Sequence, residues 1–356
     1  MLPNGGEGGM QRIVARLAEA QRSSGHEVAV AASPGIITQP LFGEPRFDIP
    51  SVTRSPASIA AAAGVVRRIT RSWSPQVVHG HSARLAPVIS LATSAGRRRP
   101  ALISVHGMPE ETVPAVARGL RLARLPVVAV GPGLGAALEQ HGLACRVVPN
   151  GVSPPPPPAD RASLRREWDI PDGASLLLAV GRLVPQKNHL VAVKALAHVP
   201  DAVLVILGDG PLRESLEQEA ALLGVDDRLR LPGFRPDARA IMAAVDVVVM
   251  PSVWEGLPAV ALEALGARAP LIAAATPGLK DWLTDGVDAL LVPPHDPEML
   301  GRAVLRLIHE RNLVATLARG GARTFEQHTE KAMAENYSIL YTELVERHRR
   351  KSDAVD

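Results

Sequence analysis

The chain has 356 residues, of which 46% are hydrophobic and 3% aromatic, and its formal net charge is +3. Its length suits two domains of ordinary size. Cys145 is the only cysteine, so no internal disulfide can form, which fits a reducing cytoplasm. No apolar run reaches the ~18–20 residues of a membrane-spanning helix, and no signal peptide precedes the first glycine-rich stretch. We therefore expect a cytoplasmic protein of two domains.

Charge is distributed unevenly along the chain. Residues 1–150 contain 16 Arg, no Lys and 8 acidic residues, a net charge of +8, so the remainder carries −5. Such a basic half is typical of contact with an anionic substrate, an anionic membrane surface or nucleic acid. The aromatic residues that usually accompany nucleic-acid binding are scarce there, with Trp73 and two Phe. A peripheral contact at the inner face of a membrane stays open, as does a plain preference for Arg on solvated faces.

Short apolar segments alternate with amphipathic ones in the first half, which predicts a parallel sheet buried between helices. The predicted strands are Val28–Ala32, Gln76–Val78, Leu102–Val105, Val127–Val130 and Arg146–Val148. The predicted helices are Gln11–Ser23, Ser58–Ile69, Arg84–Ser94 and Gly133–His141, and Arg118, Arg121 and Arg124 are expected on one helix face. A loop with Gly5, Gly6, Gly8 and Gly9 opens the first helix, as in a phosphate-binding loop, but no strand precedes it.

The second half repeats the alternation after the five prolines Pro154–Pro158, a stiff spacer of roughly 15 Å. The strands expected there are Leu176–Val180, Ala202–Leu207, Leu229–Leu231, Val247–Met250, Leu271–Ala274 and Ala289–Val292. The helices expected are Asn188–Ala197, Leu212–Leu223, Ala259–Ala267, Pro297–His309 and Thr329–Arg350. We therefore predict an N-terminal domain over residues 1–153, a linker over 154–160, a C-terminal domain over 161–328 and a final helix within 329–356.

The stretch MPSVWEGLPAVALE, Met250–Glu263, has the pattern of a strand, a short loop and a helix, with Pro258 as the first helical residue. The start of a helix readily binds phosphate. Glu255 and Glu263 are eight residues apart, about 12 Å at a helical rise, close to the span of a nucleotide sugar from its sugar to its ribose. One carboxylate would then bind the sugar and the other the ribose. An amphipathic helix with one solvated and one capping Glu is the alternative.

Polar side chains follow the predicted strands, and ligands of open α/β sheets bind beyond those carboxyl ends. Arg182 and Lys187 could neutralise a diphosphate, or could belong to an exposed basic loop. His79, His81 and His106 lack nearby Cys, Asp or Glu that would complete a metal site, which favours a single histidine facing a cleft, best His106. The chain has no nucleophile elbow, no P-loop and no Asp-x-Asp pair of metal-dependent sugar transferases.

Taken in order, these segments resemble the retaining glycosyltransferases of family 4, which have the GT-B fold. The matching motifs are GGM at Gly8–Met10, VHG at Val105–Gly107, PNGV at Pro149–Val152, GRLVPQKN at Gly181–Asn188, GDGP at Gly208–Pro211, PSVWEGLP at Pro251–Pro258, the pair Glu255 and Glu263, and Asp285–Leu300. The resemblance implies an α/β protein of two Rossmann-like, doubly wound parallel-sheet domains with a cleft between them. It also implies that the last helix crosses back to the N-terminal domain.

The resemblance further implies transfer of a sugar from a nucleotide diphosphate sugar, with retention and without metal or other cofactor. The acceptor would be a glycan, a lipid-linked sugar or a small molecule, and nucleic acid is not expected as a partner. The implied catalytic residues are His106 and Glu255. The residues implied to bind the diphosphate are Gly9, Arg182, Lys187, Gly256 and Leu257. The residues implied to bind the nucleoside are Glu263, Gly208 and Phe234. The residues implied to bind the acceptor are Gln11 and Asn150.

Three departures from the family pattern bear on function. The first strand is largely absent, Thr276–Asp281 replaces a Gly-Gly and Glu segment, and Gly131-Pro132 replaces a usual serine. Two alternatives therefore stay open, a catalytically impaired binding protein of the same fold and a sugar-nucleotide epimerase. Donor turnover without acceptor would favour the epimerase.

Overall fold

The structure is a computed structural model that describes residues 9–33, 45–94 and 99–353. The chain divides into two compact units, which we call unit 1, Met1–Gly151 with Glu330–Asp356, and unit 2, Val152–Thr329. The division falls before the five prolines rather than within them, and the last helix belongs to unit 1. Gly5, Gly6 and Gly8 of the predicted loop lie outside the described residues.

Unit 1 is built from short parallel strands and the helices that connect them. Its elements in chain order are α1 (Gly9–Ser23), β1 (Val30–Ala32), β2 (Arg46–Asp48), α2 (Pro56–Trp73), β3 (Val78–His81), α3 (Ala86–Ser94), β4 (Ala101–Val105), α4 (Val113–Ala123), β5 (Val127–Ala129), α5 (Pro132–Gln140), β6 (Arg146–Val147) and α13 (Glu330–Asp353). β1 pairs with β2, and a second sheet has the order β3-β4-β5-β6, with all pairs parallel.

The final helix of unit 1, predicted over Thr329–Arg350, buries an apolar stripe that contains Tyr337, Leu340 and Leu344. Tyr337, Leu340 and Leu344 are at most 9% exposed, and α13 packs along α1. The stripe therefore finds its partner within unit 1, on the first helix of the chain. This packing explains why the last helix, although far away in sequence, belongs to this unit.

Unit 2 contains one six-stranded parallel sheet. Its elements are α6 (Arg161–Glu167), β7 (Ser175–Val180), α7 (His189–Ala195), β8 (Ala202–Leu207), α8 (Arg213–Leu223), β9 (Leu229–Gly233), α9 (Ala238–Met242), β10 (Val247–Met250), α10 (Ala259–Gly266), β11 (Leu271–Ala274), β12 (Leu290–Val292), α11 (Pro297–His309) and α12 (Arg311–Glu326). The strand order is β12-β11-β10-β7-β8-β9. All six residues of β8 are buried, as the uninterrupted apolar run of a central parallel strand requires.

Several sequence predictions need correction. The strand expected at Gln76–Val78 instead begins at Val78 and includes His79–His81. Arg124 ends α4 in the left-handed conformation, with φ of 53°, so it does not share the helix face of Arg118 and Arg121. Pro258 has an extended backbone, with φ of −73° and ψ of 128°, and caps α10 instead of starting it. No helix in the described ranges combines the length and apolarity needed to cross a membrane.

Candidate active site

The candidate site lies in unit 2, where loops follow the carboxyl ends of adjacent strands. The loops after β7 and β8 are joined through their backbones: Leu183 N–H donates to the Asp209 carbonyl at 3.0 Å, and Leu212 N–H donates to the Leu183 carbonyl at 3.1 Å. Gly208 has a φ of +149°, and a Cβ there would lie 2.0 Å from the carbonyl oxygen of Gly181. Glycine is therefore required at 208, because only a residue without a side chain allows this close approach.

The loop after β10 is tied to the loop after β7. Val253 N–H donates to the Gln186 carbonyl at 2.9 Å, and the Gln186 amide donates to the Trp254 carbonyl at 3.2 Å. The side chains meet as well, since Lys187 Nζ lies 2.6 Å from Glu255 Oε1. These side chains are only 17% and 7% exposed, so the pair is a partly desolvated, charge-assisted contact rather than a surface ion pair. Two residues that the sequence places 68 positions apart are thus brought into one site.

The loop after β11 supports Glu255 from the other side. Glu255 N–H donates to the Pro277 carbonyl at 3.3 Å, and the Thr276 hydroxyl donates to the Ser252 carbonyl at 3.2 Å. Gly278 has a φ of +80°, and a Cβ there would lie 1.9 Å from the Glu255 carbonyl oxygen. The segment that departs from the family pattern therefore keeps its glycine where the backbone of the neighbouring loop demands one.

Two further charged or titratable residues lie on the same segment as Lys187. Arg182 is exposed, and its side chain makes no hydrogen bond or ion pair with the described residues, although its carbonyl accepts from Val184 N–H at 2.9 Å. His189, at the start of α7, is buried. Burial lowers its pKa to about 4 and outweighs the backbone of Gly181, which raises the pKa. At neutral pH the loop after β7 thus carries two cations, one of them paired with the Glu255 carboxylate, and is followed by a neutral, buried imidazole.

Glu263 lies within α10 and is also held by a cation. Its carboxylate, 6% exposed, is 3.5 Å from Arg239 Nε. The same guanidinium donates to the carbonyls of Ser153 at 2.7 Å and Pro154 at 2.6 Å. Arg239 therefore links the carboxylate of α10 to the segment in which unit 2 begins. The turn ahead of α10 buries the predicted residues Gly256 and Leu257.

Phe234 follows β9 and is 55% exposed. Gly233, the residue before it, accepts a hydrogen bond from Gly208 N–H at 2.9 Å. The aromatic ring is therefore displayed beside the loop that follows β8, at the same edge of the sheet as Arg182. An exposed ring at a strand end can stack on a flat ligand group.

The histidines predicted in unit 1 lie together but are mostly engaged. His79 Nδ1 is 2.7 Å from the Tyr341 hydroxyl, and His79 Nε2 is 2.7 Å from the Ser104 hydroxyl. The centroid of the His81 ring lies 3.9 Å from that of His79, with the two planes tilted by 35°, and 5.7 Å from that of His106. Because both nitrogens of His79 are taken up by hydroxyls, this cluster is poorly suited to ligate a metal.

His106 directly follows β4 and is partly exposed, as is His79. Burial lowers its pKa to about 4, so the ring is neutral at physiological pH. Its Nε2 has no hydrogen-bond partner among the described residues. A buried nitrogen of this kind can still accept or donate one hydrogen bond to a ligand.

The other residues predicted for unit 1 are located but not joined into a constellation. Gly9 is exposed at the start of α1, with open space where a Cβ would stand. Gln11 and Asn150 are buried, at 8% and 6% exposure. The N–H of Asn150 donates to the Val130 carbonyl at 3.3 Å, which fixes this residue at the carboxyl end of β5.

Sequence reasoning missed three side chains of the unit 2 site. Gln186 and His189 lie inside or next to the GRLVPQKN motif, so their position could have suggested them. Arg239 belongs to the five-residue helix α9 and to no motif, and only its tertiary contact with Glu263 reveals it.

Known proteins resemble this chain in both units. A family model described as Glycosyltransferase Family 4 matches residues 7–154, and one described as Glycosyl transferases group 1 matches residues 160–324. The lipopolysaccharide core biosynthesis glycosyltransferase LpsD of Rhizobium meliloti is 31% identical over 247 residues, 64% of this chain and 71% of that protein. LpsE of the same organism is 34% identical over 182 residues, 51% of this chain and 52% of the relative, so the match spans about half the length of LpsE.

Solved structures share the fold. The structure of Anabaena HepE in complex with UDP-glucose superposes with a TM-score of 0.82 at 21% identity and covers 96% of this chain and 98% of that one. The chain belongs to the group 1 glycosyltransferases of family 4, and its fold is that of the GT-B glycosyltransferases.

Proposed function

We propose that the chain is a retaining, metal-independent glycosyltransferase that takes a sugar from a nucleotide diphosphate sugar. The observation that carries this proposal is the Lys187–Glu255 pair, 2.6 Å apart and held by three strand-end loops of unit 2. A cation fixed at the carboxyl edge of a parallel sheet is positioned to receive a diphosphate. The family to which the chain belongs supports the same reading.

In the proposed donor complex, Arg182 and Lys187 bind the diphosphate and supply the positive charge that other transferases take from a metal. Arg182 has no ion partner among the described residues, so it can bind a phosphate without first breaking a contact. Glu263 accepts the ribose hydroxyls, and Phe234 lies beside the base. UDP-glucose is bound by HepE, which shares the fold, and this supports a UDP-sugar as the first donor to test.

The proposed reaction exchanges one bond at the anomeric carbon. The bond from that carbon to the diphosphate oxygen breaks, and the bond to the acceptor oxygen forms on the same face. The acceptor proton passes to the departing diphosphate oxygen, so no separate protein base is needed. Lys187 and Arg182 stabilise the charge that develops on the diphosphate, while Glu255 binds the transferred sugar.

For the acceptor we propose a saccharide presented on an anionic lipid surface. The net charge of +8 over residues 1–150 favours an anionic surface, and the relatives LpsD and LpsE are named for lipopolysaccharide core biosynthesis. The protein would then work in the cytoplasm, peripherally at the inner face of the membrane. Binding to vesicles of anionic lipid that weakens with salt, and is absent with neutral lipid, would be expected.

A thermal-shift panel tests the donor proposal. UDP, GDP and ADP are each added at about 100-fold excess over the dissociation constant, with and without EDTA, where binding to the folded state raises the melting temperature by about 5 °C or more. One nucleotide should act, and EDTA should change nothing. No shift with any of them contradicts the proposal, and donor turnover without acceptor would favour the epimerase instead.

A further inference from the structure

Five consecutive prolines, residues 154–158, stand out in the sequence, and the proposed reaction gives them no role. They lie within residues 153–159 of unit 2, which we call the proline strap. At the start of the strap, Arg239 Nη2 donates to the Ser153 carbonyl at 2.7 Å and to the Pro154 carbonyl at 2.6 Å. These contacts tie the strap to the short helix α9 that carries Arg239.

The other end of the strap is tied to the same helix. Ala159 N–H donates to the Ala240 carbonyl at 3.0 Å, and Ala240 directly follows Arg239 in α9. Four of the five prolines are exposed, so the strap is fixed over α9 by its ends rather than by burial. A polyproline segment makes no hydrogen bonds of its own, and its carbonyls are therefore available to a cation.

Both carbonyls that accept from Arg239 belong to residues that are followed by proline. A proline confines the residue before it to extended conformations, with ψ of roughly +120° to +160°, and Pro154 also has its own φ fixed at about −65°. Because ψ sets the direction of a carbonyl, the Ser153 and Pro154 carbonyls have few orientations to lose when they accept. The prolines at 154 and 155 therefore preset two acceptors for the guanidinium.

The guanidinium held in this way also faces Glu263. Arg239 Nε lies 3.5 Å from Glu263 Oε1, and the Glu263 side chain is 6% exposed. A carboxylate removed from water to this extent depends on its cation, so its direction depends on where the guanidinium is fixed. Contacts thus run from the strap through Arg239 to the residue proposed to accept the ribose hydroxyls.

We propose that the proline strap is a positioning device for the nucleotide site. The restricted carbonyls of Ser153 and Pro154 orient Arg239, and Arg239 orients Glu263 toward the ribose. This inference rests on the proposed function of Glu263. In this arrangement the strap acts through the Glu263 carboxylate and makes no contact of its own with the nucleotide.

Two double variants of the full chain test the strap. Pro154→Gly with Pro155→Gly frees the backbone of both accepting residues. Pro157→Gly with Pro158→Gly makes the same chemical change in the same run but leaves Ser153 and Pro154 restricted. By isothermal titration, the first variant should bind UDP about fivefold more weakly than the wild type, because freed backbone has to be ordered when it holds Arg239. The second variant should bind UDP as the wild type does.

Urea unfolding separates positioning from stability. Each double variant replaces two exposed prolines by glycine and enlarges the freedom of the unfolded chain alike, so both should lose similar stability. In the Glu263→Gln background, the glycines at 154 and 155 should no longer alter UDP affinity, since the charge that Arg239 orients is absent. Equal UDP affinity of the two double variants, or an unchanged effect in the Glu263→Gln background, overturns the proposal.

A measurement without nucleotide keeps the test independent of the proposed function. By ¹⁵N relaxation, the Arg239 Nε–H should be as rigid as ordered backbone in the wild type, with an order parameter of about 0.85, and should fall below about 0.6 in the Pro154→Gly, Pro155→Gly variant. The signal is assigned by its loss in Arg239→Lys. If the wild type binds none of UDP, GDP and ADP, the proposed function fails, and the order parameter alone decides whether the strap positions Arg239. An order parameter unchanged by the two glycines overturns the inference.

Discussion

Units 1 and 2 both have polar residues at the carboxyl ends of their parallel strands, but the partners of these residues differ. In unit 2 the loops hydrogen-bond to one another through their backbones, and this leaves the side chains of Lys187 and Glu255 to face each other at the edge of the sheet. In unit 1, His79 and Ser104 are instead bonded to the tyrosines of α13. A polar residue at a strand end can therefore either form a site or anchor a helix, and only its partners distinguish the two roles.

The variant with the largest expected effect is Lys187→Ala, which removes the cation of the unit 2 pair. The change leaves the Glu255 carboxylate, 7% exposed, without its cation, and an unpaired buried charge costs about 3–5 kcal/mol. We expect unit 2 to lose stability and nucleotide affinity to fall about 100-fold, equivalent to about 2.7 kcal/mol. Isothermal titration with the nucleotide selected in the thermal panel, together with urea unfolding, measures both.

A double variant separates the two effects. Lys187→Ala with Glu255→Ala should regain stability, since no charge is left unpaired, but should still bind weakly. The matched control is Lys194→Ala, whose partner Glu219 lies 3.1 Å away and whose side chain is 41% exposed. Such a surface pair contributes at most about 1 kcal/mol. Wild-type affinity in Lys187→Ala would show that this lysine does not bind the diphosphate.

Acidification should affect unit 1 more than unit 2. Burial lowers the pKa of His79 and His81 well below the usual value and that of His106 to about 4, all in unit 1, whereas unit 2 has His189 at about 4. The unfolded chain binds these protons near pH 6.5, so stability is full above that pH and is lost as pH falls toward 4. His106 alone accounts for about 3 kcal/mol by pH 4.

Hydrogen exchange of β4 and β8 at pH 7 and pH 5 measures this difference unit by unit. Exchange in β4 should accelerate more than exchange in β8, and His106→Gln should reduce the acceleration in β4. Equal acceleration in the two strands would mean that the buried histidines do not set the acid stability of unit 1.

Arg239→Lys tests whether Arg239 fixes the orientation of the Glu263 carboxylate. Lysine cannot reach Glu263 and the carbonyls of Ser153 and Pro154 together, so the carboxylate loses its fixed orientation. We expect nucleotide binding to weaken about tenfold, or about 1.4 kcal/mol, with folding intact. The control is Arg235→Lys, whose partners Asp237 and Glu167 lie on the surface. An equal loss of nucleotide affinity in Arg239→Lys and Arg235→Lys would show that Arg239 does not position Glu263.

Tyr337→Phe tests whether the polar strand ends of unit 1 anchor α13 and do not contribute to nucleotide binding. The buried Tyr337 hydroxyl lies 2.7 Å from Ser104 Oγ, and loss of such a bond costs about 1 kcal/mol. Unit 1 should become less stable by that amount in urea unfolding, while nucleotide affinity stays at the wild-type value. A weakened affinity would mean that the tyrosine network contributes to the donor site.

Much of the fold follows from apolar patterning. Ala202–Leu207, Leu271–Ala274 and Pro297–His309 have the predicted bounds, because continuous apolar runs or a strong helical period define them. α12 was not predicted, since Gly320 and Gly321 interrupt its pattern. A Cβ at Gly320 would lie 1.9 Å from the Val287 carbonyl oxygen, so these glycines serve close packing that no local pattern reveals.

The candidate site was only partly predictable. Spacing and family resemblance selected Lys187, Glu255 and Glu263, since short motifs carry them, and their binding roles stay predictions. Neither could show that Lys187 pairs with Glu255 or that Arg239 holds Glu263, because both contacts join distant segments. In unit 1 the sequence pattern favoured His106 over His79 as the histidine facing a cleft, and the structure bonds His79 to Ser104 and Tyr341.

The role of Glu263 in nucleotide binding is tested by the dissociation constant of UDP for the Glu263→Gln variant. Glutamine keeps the size of the side chain but cannot accept ribose hydroxyls as a carboxylate does, so affinity should fall at least tenfold by isothermal titration. The control Glu298→Gln alters an exposed pair with Arg302 on α11 and should bind as the wild type does. Equal affinity in the wild type and both variants, with folding intact, would contradict the claim that Glu263 of unit 2 forms the nucleotide site.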